Sequence, residues 1–142
     1  MKARGMPGHM IRRLQQISTQ VFVRQMQAAG FDLTPVKFAT MDAILFMPGM
    51  DRAGVAAAIL YDAKTIGPVI DQLANAGYAK YDRSDSAPTT EAIFATEKGA
   101  EMFRVTLPIV TALQNDVLPG LSRSEKAQFF ALARKAIDMA QD

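Results

Sequence analysis

The 142-residue chain has no cysteine, no tryptophan and a single histidine, His9. The first absence excludes disulfides, thiolate zinc sites and thiol redox sensing. One histidine without cysteine offers no ligand set for a transition metal, and no metal or other cofactor is expected. No apolar run approaches the roughly 20 residues of a membrane span. The leading residues Lys2, Arg4, Gly5, Pro7 and Gly8 lack the apolar centre of an export signal. A cytoplasmic protein with no membrane partner is the expectation. There is no glycine-rich loop of the phosphate-cradling kind. His9, the only histidine available as a base, lies beside the leading arm, a poor place from which to activate a nucleophile. Asp62 and Asp71 stand roughly 13 Å apart on a helix and form no acid/base pair. An enzyme is not expected.

What is present suits one globular domain. Apolar residues make up 49% of the chain, enough for a core and too many for global disorder. Sixteen basic and fourteen acidic residues leave a net charge of +2, with a pI near 9.0. That balance is compatible with nucleic acid without requiring it. The nine methionines, Met41, Met47 and Met50 among them, suit flexible core filling or an adaptable pocket.

Periodicity gives the order of elements. Residues 1–8 read as an arm closed by Pro7-Gly8. From His9 to Ala29 the residues Met10, Leu14, Ile17, Val21 and Met26 form one helical stripe that Gly30 stops. Thr34-Pro35 starts a second helix with inner residues Phe38, Met41, Ile44 and Leu45, ended by Pro48-Gly49. Asp51 caps a short helix with inner residues Val55, Ala58 and Ile59. Asp62 caps the next, in which Ile66, Val69, Ile70 and Leu73 recur at i, i+3, i+4, i+7 and Gly77 closes the helix. Gly67-Pro68 in its middle predicts a bend or a late regular start. Tyr78–Tyr81 and Glu91–Ala95 read as short strands joined by the polar link Asp82–Thr90. Thr96 opens a helix carrying Met102, Ile109, Leu113 and Val117, with a kink expected at Pro108. Ser122 and Glu125 form a capping box for a last helix carrying Phe129, Leu132, Ala133, Ala136 and Ile137.

Helix, short helix, turn, longer helix and two-stranded ribbon is the order of a winged helix-turn-helix, a module that lays one helix in a DNA groove. The fold class is therefore mainly α with a small β-wing. The winged helix-turn-helix occupies 33–99, and helices at 7–30 and 100–142 need a partner surface. The stretch Asp62–Ala76 contains Asp62, Lys64 and Asp71, so one positive and two negative charges give it −1.

Specific segments resemble the MarR family (multiple antibiotic resistance regulators). Leu33-Thr34-Pro35-Val36-Lys37-Phe38 is similar to the start of its second helix. Tyr61 through Leu73 is similar to its recognition helix. Ala76-Gly77-Tyr78 is similar to its helix-to-wing turn, and Ala95-Thr96-Glu97-Lys98-Gly99 to its wing-to-helix joint. Pro7-Gly8-His9-Met10-Ile11-Arg12-Arg13 resembles the start of the first helix in one branch of that family. The likeness runs from about residue 7 to 138. It implies a single MarR-like domain over 1–142, a homodimer, palindromic double-stranded DNA as partner, and release from DNA by a small aromatic or phenolic effector. Family members carry arginines where this chain has Pro68 and, less regularly, Gln72, Ala63 and Ala76. They also carry one in the wing, where it has Ala87-Pro88-Thr89.

The candidate DNA contacts are Lys64 and Thr65 in the first turn of the recognition helix, where a lysine can pair with guanine and a threonine methyl can meet thymine. Lys37, Arg52, Lys80 and Arg83 are candidate phosphate contacts, with ordinary surface charge as the alternative for each. Gln72 could read adenine, but it lies late on the helix and reads first as a solvent-facing side chain. The cationic cluster His9, Arg12 and Arg13 is a candidate site for a carboxylate, with Phe22, Phe38 or Phe46 against the aromatic ring. The alternative is that these arginines meet dimer carboxylates or water. Two functions follow. One is a sequence-specific, DNA-binding transcriptional regulator of the repressor type with ligand-modulated affinity. The other is a winged-helix dimer that has left DNA and binds a ligand or a protein.

Overall fold

The computed structural model describes the backbone of residues 1–84 and 87–140, and the side chains of all of these except 83, 84 and 87–90. Six helices and one hairpin follow in order: α1 (Pro7–Ala28), α2 (Pro35–Phe46), α3 (Arg52–Ala58), α4 (Ala63–Asn75), β1 (Ala79–Ser84), β2 (Ala87–Ala95), α5 (Glu97–Leu113) and α6 (Arg123–Met139).

The helix starts follow from side-chain caps. The hydroxyl of Thr34 accepts from Lys37 N–H at the start of α2, and the carboxylate of Asp51 accepts from Gly54 N–H at the start of α3. Asp62 and Thr96 do the same for Thr65 and Gly99 at the starts of α4 and α5. Ser122 and Glu125 exchange both bonds of a capping box at the start of α6. At the N-terminus the expected arm is shorter than residues 1–8. A 3-10 turn covers Ala3–Gly5, and Pro7 is the first residue of α1, where its missing N–H costs nothing.

α4 is one helical segment from Ala63 to Asn75, with Pro68 inside it. Neither a late start nor an interruption occurs. Its buried stripe of Ile66, Val69, Ile70 and Leu73 meets α2, α3 and β1. Each such side chain contributes about 1.5–3 kcal/mol of burial, which outweighs one hydrogen bond lost at Pro68. α5 likewise runs through Pro108 without interruption. In α3 the inner residues are Val55, Ala56 and Ile59. Ala58, expected among them, is exposed, while Ile59 after it packs against the core.

The strands are longer than apolar patterning suggests. Their register pairs Ala79 with Ala95, Tyr81 with Ile93 and Arg83 with Glu91, and shifts between Arg83 and Ser84. The polar segment from Asp82 therefore joins the ladder instead of forming a long link. Ladder bonds are backbone bonds, and a ribbon open to water needs no apolar face beyond its root. That root is buried at Ala79 and Ile93, and Met50 adds an isolated bridge to Ile93.

The joint between hairpin and helices is held by Thr96. Its hydroxyl donates to Gly77 C=O at 2.6 Å, and its N–H donates to Tyr78 C=O. Lys98 Nζ donates to Ala76 C=O and lies 5.1 Å from the Tyr78 ring centre. Gly99 fits under this joint only because it lacks a side chain. A Cβ there would fall 2.0 Å from Tyr78 O and 2.9 Å from Met41 Cε.

At the other end of the chain, apolar residues remain uncovered. Met10 and Ile11 on α1 are 48% and 67% exposed, and Leu132 and Ile137 on α6 are 66% and 63% exposed. No residue of α6 is buried. An open apolar groove lies beside them, lined by Leu14, Ile17, Val117, Leu118, Leu121 and Phe129 among others.

Because the Gly99 contact is with backbone, Gly99→Ala is expected to destabilise the protein by about 1–3 kcal/mol, the usual cost of overpacking. Chemical denaturation measures this, and an unchanged midpoint would contradict the fit described for the joint.

Candidate nucleic-acid interface

The exposed side of α4 and the hairpin beside it form the candidate interface. Lys64 and Thr65 are both exposed on the first turn of α4. Thr65 serves the cap: its N–H donates to Asp62 Oδ1 at 2.7 Å and its hydroxyl to Asp62 Oδ2 at 3.0 Å. These bonds, the backbone one foremost, hold the Asp62 carboxyl below the usual carboxylate range. With its donor used, Thr65 keeps its methyl group and a hydroxyl lone pair for a ligand. Lys64 makes no such local commitment and is the free cation of this turn.

The remaining cations are dispersed. Lys37 is half-buried at the start of α2 and lines a cleft of about 140 Å³ with Asp32, Gln72, Ala76 and Tyr78. It thus attends the far end of α4. Gln72 is exposed. Lys80 is exposed on β1, opposite Phe94. The backbone of Arg83 pairs with Glu91, and its side chain lies outside the described residues, as do those of Pro88 and Thr89.

Arg52 is the clearest departure from expectation. Its guanidinium does not stand free for phosphate. One Nη lies 3.2 Å from Asp71 Oδ1 and 3.6 Å from Glu91 Oε2, and the group sits 5.2 Å from the Tyr81 ring centre. The Tyr81 hydroxyl donates to the same Asp71 oxygen. Arg52 reaches across α4 at Gly67, where a Cβ would meet its Nη1 at 3.3 Å. One carboxylate on α4 therefore ties α3 to β1, and the guanidinium extends the tie to β2. Burial, then the bond to Asp71, pushes the Tyr81 hydroxyl up to about 12.

The candidate carboxylate site is open. His9 and Arg13, with Arg4 and Met10, line a depression of about 320 Å³ at the start of α1, and Arg12 is exposed beside it. Phe38 is elsewhere. It stacks on Phe103 with ring centres 4.8 Å apart and meets the edge of Phe22 at 6.0 Å. Arg13 and Phe22 are nine residues apart on one helix, about 14 Å. Within one chain, Phe38 is thus a wall of the core and not a neighbour of the cationic cluster. Among the described residues no group of three or more acidic or histidine side chains could hold a metal. No single described helix is long and apolar enough to cross a membrane.

No protein-family model matches the sequence. Whole-chain similarity is nevertheless extensive. The transcriptional regulator HosA of Escherichia coli O127:H6 is 23% identical over 130 residues, covering 92% of this chain and 93% of HosA. The PcaV transcriptional regulator of Streptomyces coelicolor, solved in complex with its natural ligand, superposes with a TM-score of 0.80 at 26% identity, over 96% of this chain and 95% of PcaV. BpsR of Bordetella bronchiseptica, whose DNA binding is regulated by 6-hydroxynicotinic acid, superposes with a TM-score of 0.81 at 19% identity, over 98% and 96% of the two chains. PcaV and BpsR are MarR-family transcriptional regulators. The chain has the winged helix-turn-helix fold of these MarR-family regulators. Its relatives are regulators and not enzymes.

In this interface the residues that sequence reasoning missed are Asp71, Tyr81 and Glu91, the partners of Arg52. Two signals pointed to them. Asp71 has no basic residue three or four positions away on its own helix, so a tertiary partner is needed. Arg52 is the first residue of α3, where the helix dipole disfavours a cation unless something else holds it.

The raised Tyr81 pKa gives a pH prediction. A neutral hydroxyl favoured in the folded state stabilises fully below pH 10, its ordinary value, and that contribution is lost as pH rises toward 12. Denaturant unfolding of the wild type and Tyr81→Phe should show a stability gap at pH 8 that narrows between pH 10 and about 12. A gap that stays constant across that range would contradict the hydrogen bond to Asp71.

Proposed function

We propose that the chain is a transcriptional regulator of the repressor type that binds palindromic double-stranded DNA as a homodimer and is released by a small aromatic acid. The observation that carries this reading is the exposed first turn of α4, with Lys64 free at its leading edge and a two-stranded wing tied to the same helix through Asp71. In such a module a helix of this kind enters the major groove while phosphate contacts set its position. Residues 33–99 are the DNA-binding lobe. Residues 7–30 and 100–142 pair with their copies, a role favoured by the uncovered apolar side chains of α1 and α6. Lys37, Lys80 and Arg83 are the phosphate candidates, and Arg52 is reassigned to holding α3, α4 and the wing together.

His9, Arg12 and Arg13 are the proposed carboxylate anchor of the effector. The regulation of BpsR by an aromatic acid supports that choice of chemistry. The effector acts by preferring a dimer whose recognition helices are misplaced for DNA, which lowers affinity in proportion to that preference. A cytoplasmic location accords with this role.

A second reading is favoured by one specific observation: Lys64 is the only cation between Asp62 and Ala76, against two aspartates. A winged-helix dimer that no longer binds DNA, and instead takes a ligand or a protein, would carry such a face.

Fluorescence anisotropy with the duplex upstream of the protein's own gene separates the two readings. The regulator reading expects sequence-specific binding that weakens with salt, a salt slope smaller by about one for Lys64→Ala, and release by 6-hydroxynicotinic acid that Arg12→Ala abolishes. Absence of specific binding at low salt favours the second reading.

A further inference from the structure

Three helices of the chain end in the same cap, and one of the three is anomalous. At the end of α1 the N–H of Phe31 donates to Met26 C=O and that of Gly30 to Gln27 C=O, with Gly30 at φ +86°. At the end of α4 the N–H of Tyr78 donates to Leu73 C=O and that of Gly77 to Ala74 C=O, with Gly77 at φ +83°. These are Schellman caps, whose left-handed residue is by preference glycine. At the end of α3 the same bonds run from Tyr61 N–H to Ala56 C=O and from Leu60 N–H to Ala57 C=O, but the left-handed residue is Leu60, at φ +60°. Leu60 is the only non-glycine with positive φ among the described residues, and it is 91% exposed. The position thus bears backbone strain and a leucine side chain in water together. Among the described residues no packing compensates for either. Strain of this kind recurs at ligand-binding and other functional sites.

Leu60 stands two residues ahead of the Asp62 cap, at the leading edge of α4. The exposed residues that follow share its character. Tyr61 is 47% exposed. Ala63 presents a methyl, Pro68 a ring, and Thr65 has its hydroxyl bound to Asp62. Lys64 alone in this half of the helix carries a free side-chain donor, and it suits the charge of a phosphate-lined groove. Apart from the Tyr61 hydroxyl, Lys64 and a lone pair on Thr65, this face is apolar. The major-groove feature that suits such apolar groups is the 5-methyl group of thymine.

We propose that Leu60, with Tyr61, Ala63, Thr65 and Pro68, reads thymine methyl groups, so that the DNA half-site of this protein is defined by thymines instead of by guanine-to-arginine pairs. This inference rests on the DNA-binding reading above and adds the base chemistry to it. The losses at Pro68 and Gln72 relative to MarR-family chains then amount to a change of readout.

The test uses the full-length protein and a randomised duplex pool. Selected duplexes are resynthesised with deoxyuridine in place of thymidine, which deletes only the methyl groups. We expect thymine-rich half-sites, and affinity lower by about fourfold for each contacted methyl removed, the value of burying one such carbon. Leu60→Asn and Leu60→Gly, both compatible with left-handed backbone, should weaken binding to the thymidine duplex and shrink its advantage over the deoxyuridine duplex, without lowering Tm. Equal affinity for both duplexes, or unchanged discrimination in the Leu60 variants, overturns this inference and leaves the DNA reading intact. A fall in Tm for both variants also overturns it, by giving Leu60 a structural role. No enrichment of any sequence from the pool overturns the DNA reading itself, and this inference with it.

Discussion

One carboxylate organises the candidate interface. Asp71, in the middle of α4, receives the Tyr81 hydroxyl from β1 and the Arg52 guanidinium from α3, and Arg52 extends to Glu91 on β2. A two-stranded ribbon has little stability of its own. Its position relative to α4 must come from the few groups that touch both. Each ion pair here is half-exposed and worth little alone, but groups that share one acceptor can be worth more than their separate sums. The cost is visible in the charge of α4. The helix that would meet a polyanion carries an aspartate, and Arg52, which could have met phosphate, is used to offset it.

That arrangement bears on regulation. An effector that moves the recognition helices changes DNA affinity only if helix and wing move as one body. Gly67 makes room for Arg52 to cross the helix, and Thr96 and Gly99 clamp the root of the hairpin on α5. α5 packs on α1, which carries uncovered apolar side chains. A continuous chain of packed elements thus joins the proposed dimer region to the interface.

The sequence made the helices legible because their signals are local. Thr34-Pro35, Asp51, Asp62, Thr96 and the Ser122/Glu125 pair all cap where expected. The buried stripe of α4 follows its apolar spacing residue for residue. The reading failed where tertiary contacts decide. Polar residues after Tyr81 join the ladder because a partner strand is present, and α4 starts at Ala63, ahead of Gly67-Pro68, because its buried stripe holds it. The site was less legible than the fold. Lys64 and Thr65 lie where expected, but Arg52 is drawn away by residues 19 and 39 positions further on. Phe38 was legible as aromatic but not as the partner of Phe22 and Phe103. Leu60 carried no sequence signal at all. Its importance comes from a backbone angle that only the comparison with Gly30 and Gly77 makes conspicuous.

The claim that Arg52, Asp71 and Tyr81 act as one unit is tested most directly by a double-mutant cycle on stability, with Arg52→Ala, Tyr81→Phe and the double variant at neutral pH. Coupling of about 0.5–3 kcal/mol, the range for residues that share a network, is the predicted result. Additivity within about 0.3–0.5 kcal/mol would mean that the two side chains act independently, and would contradict the account of how α4 and the wing are joined.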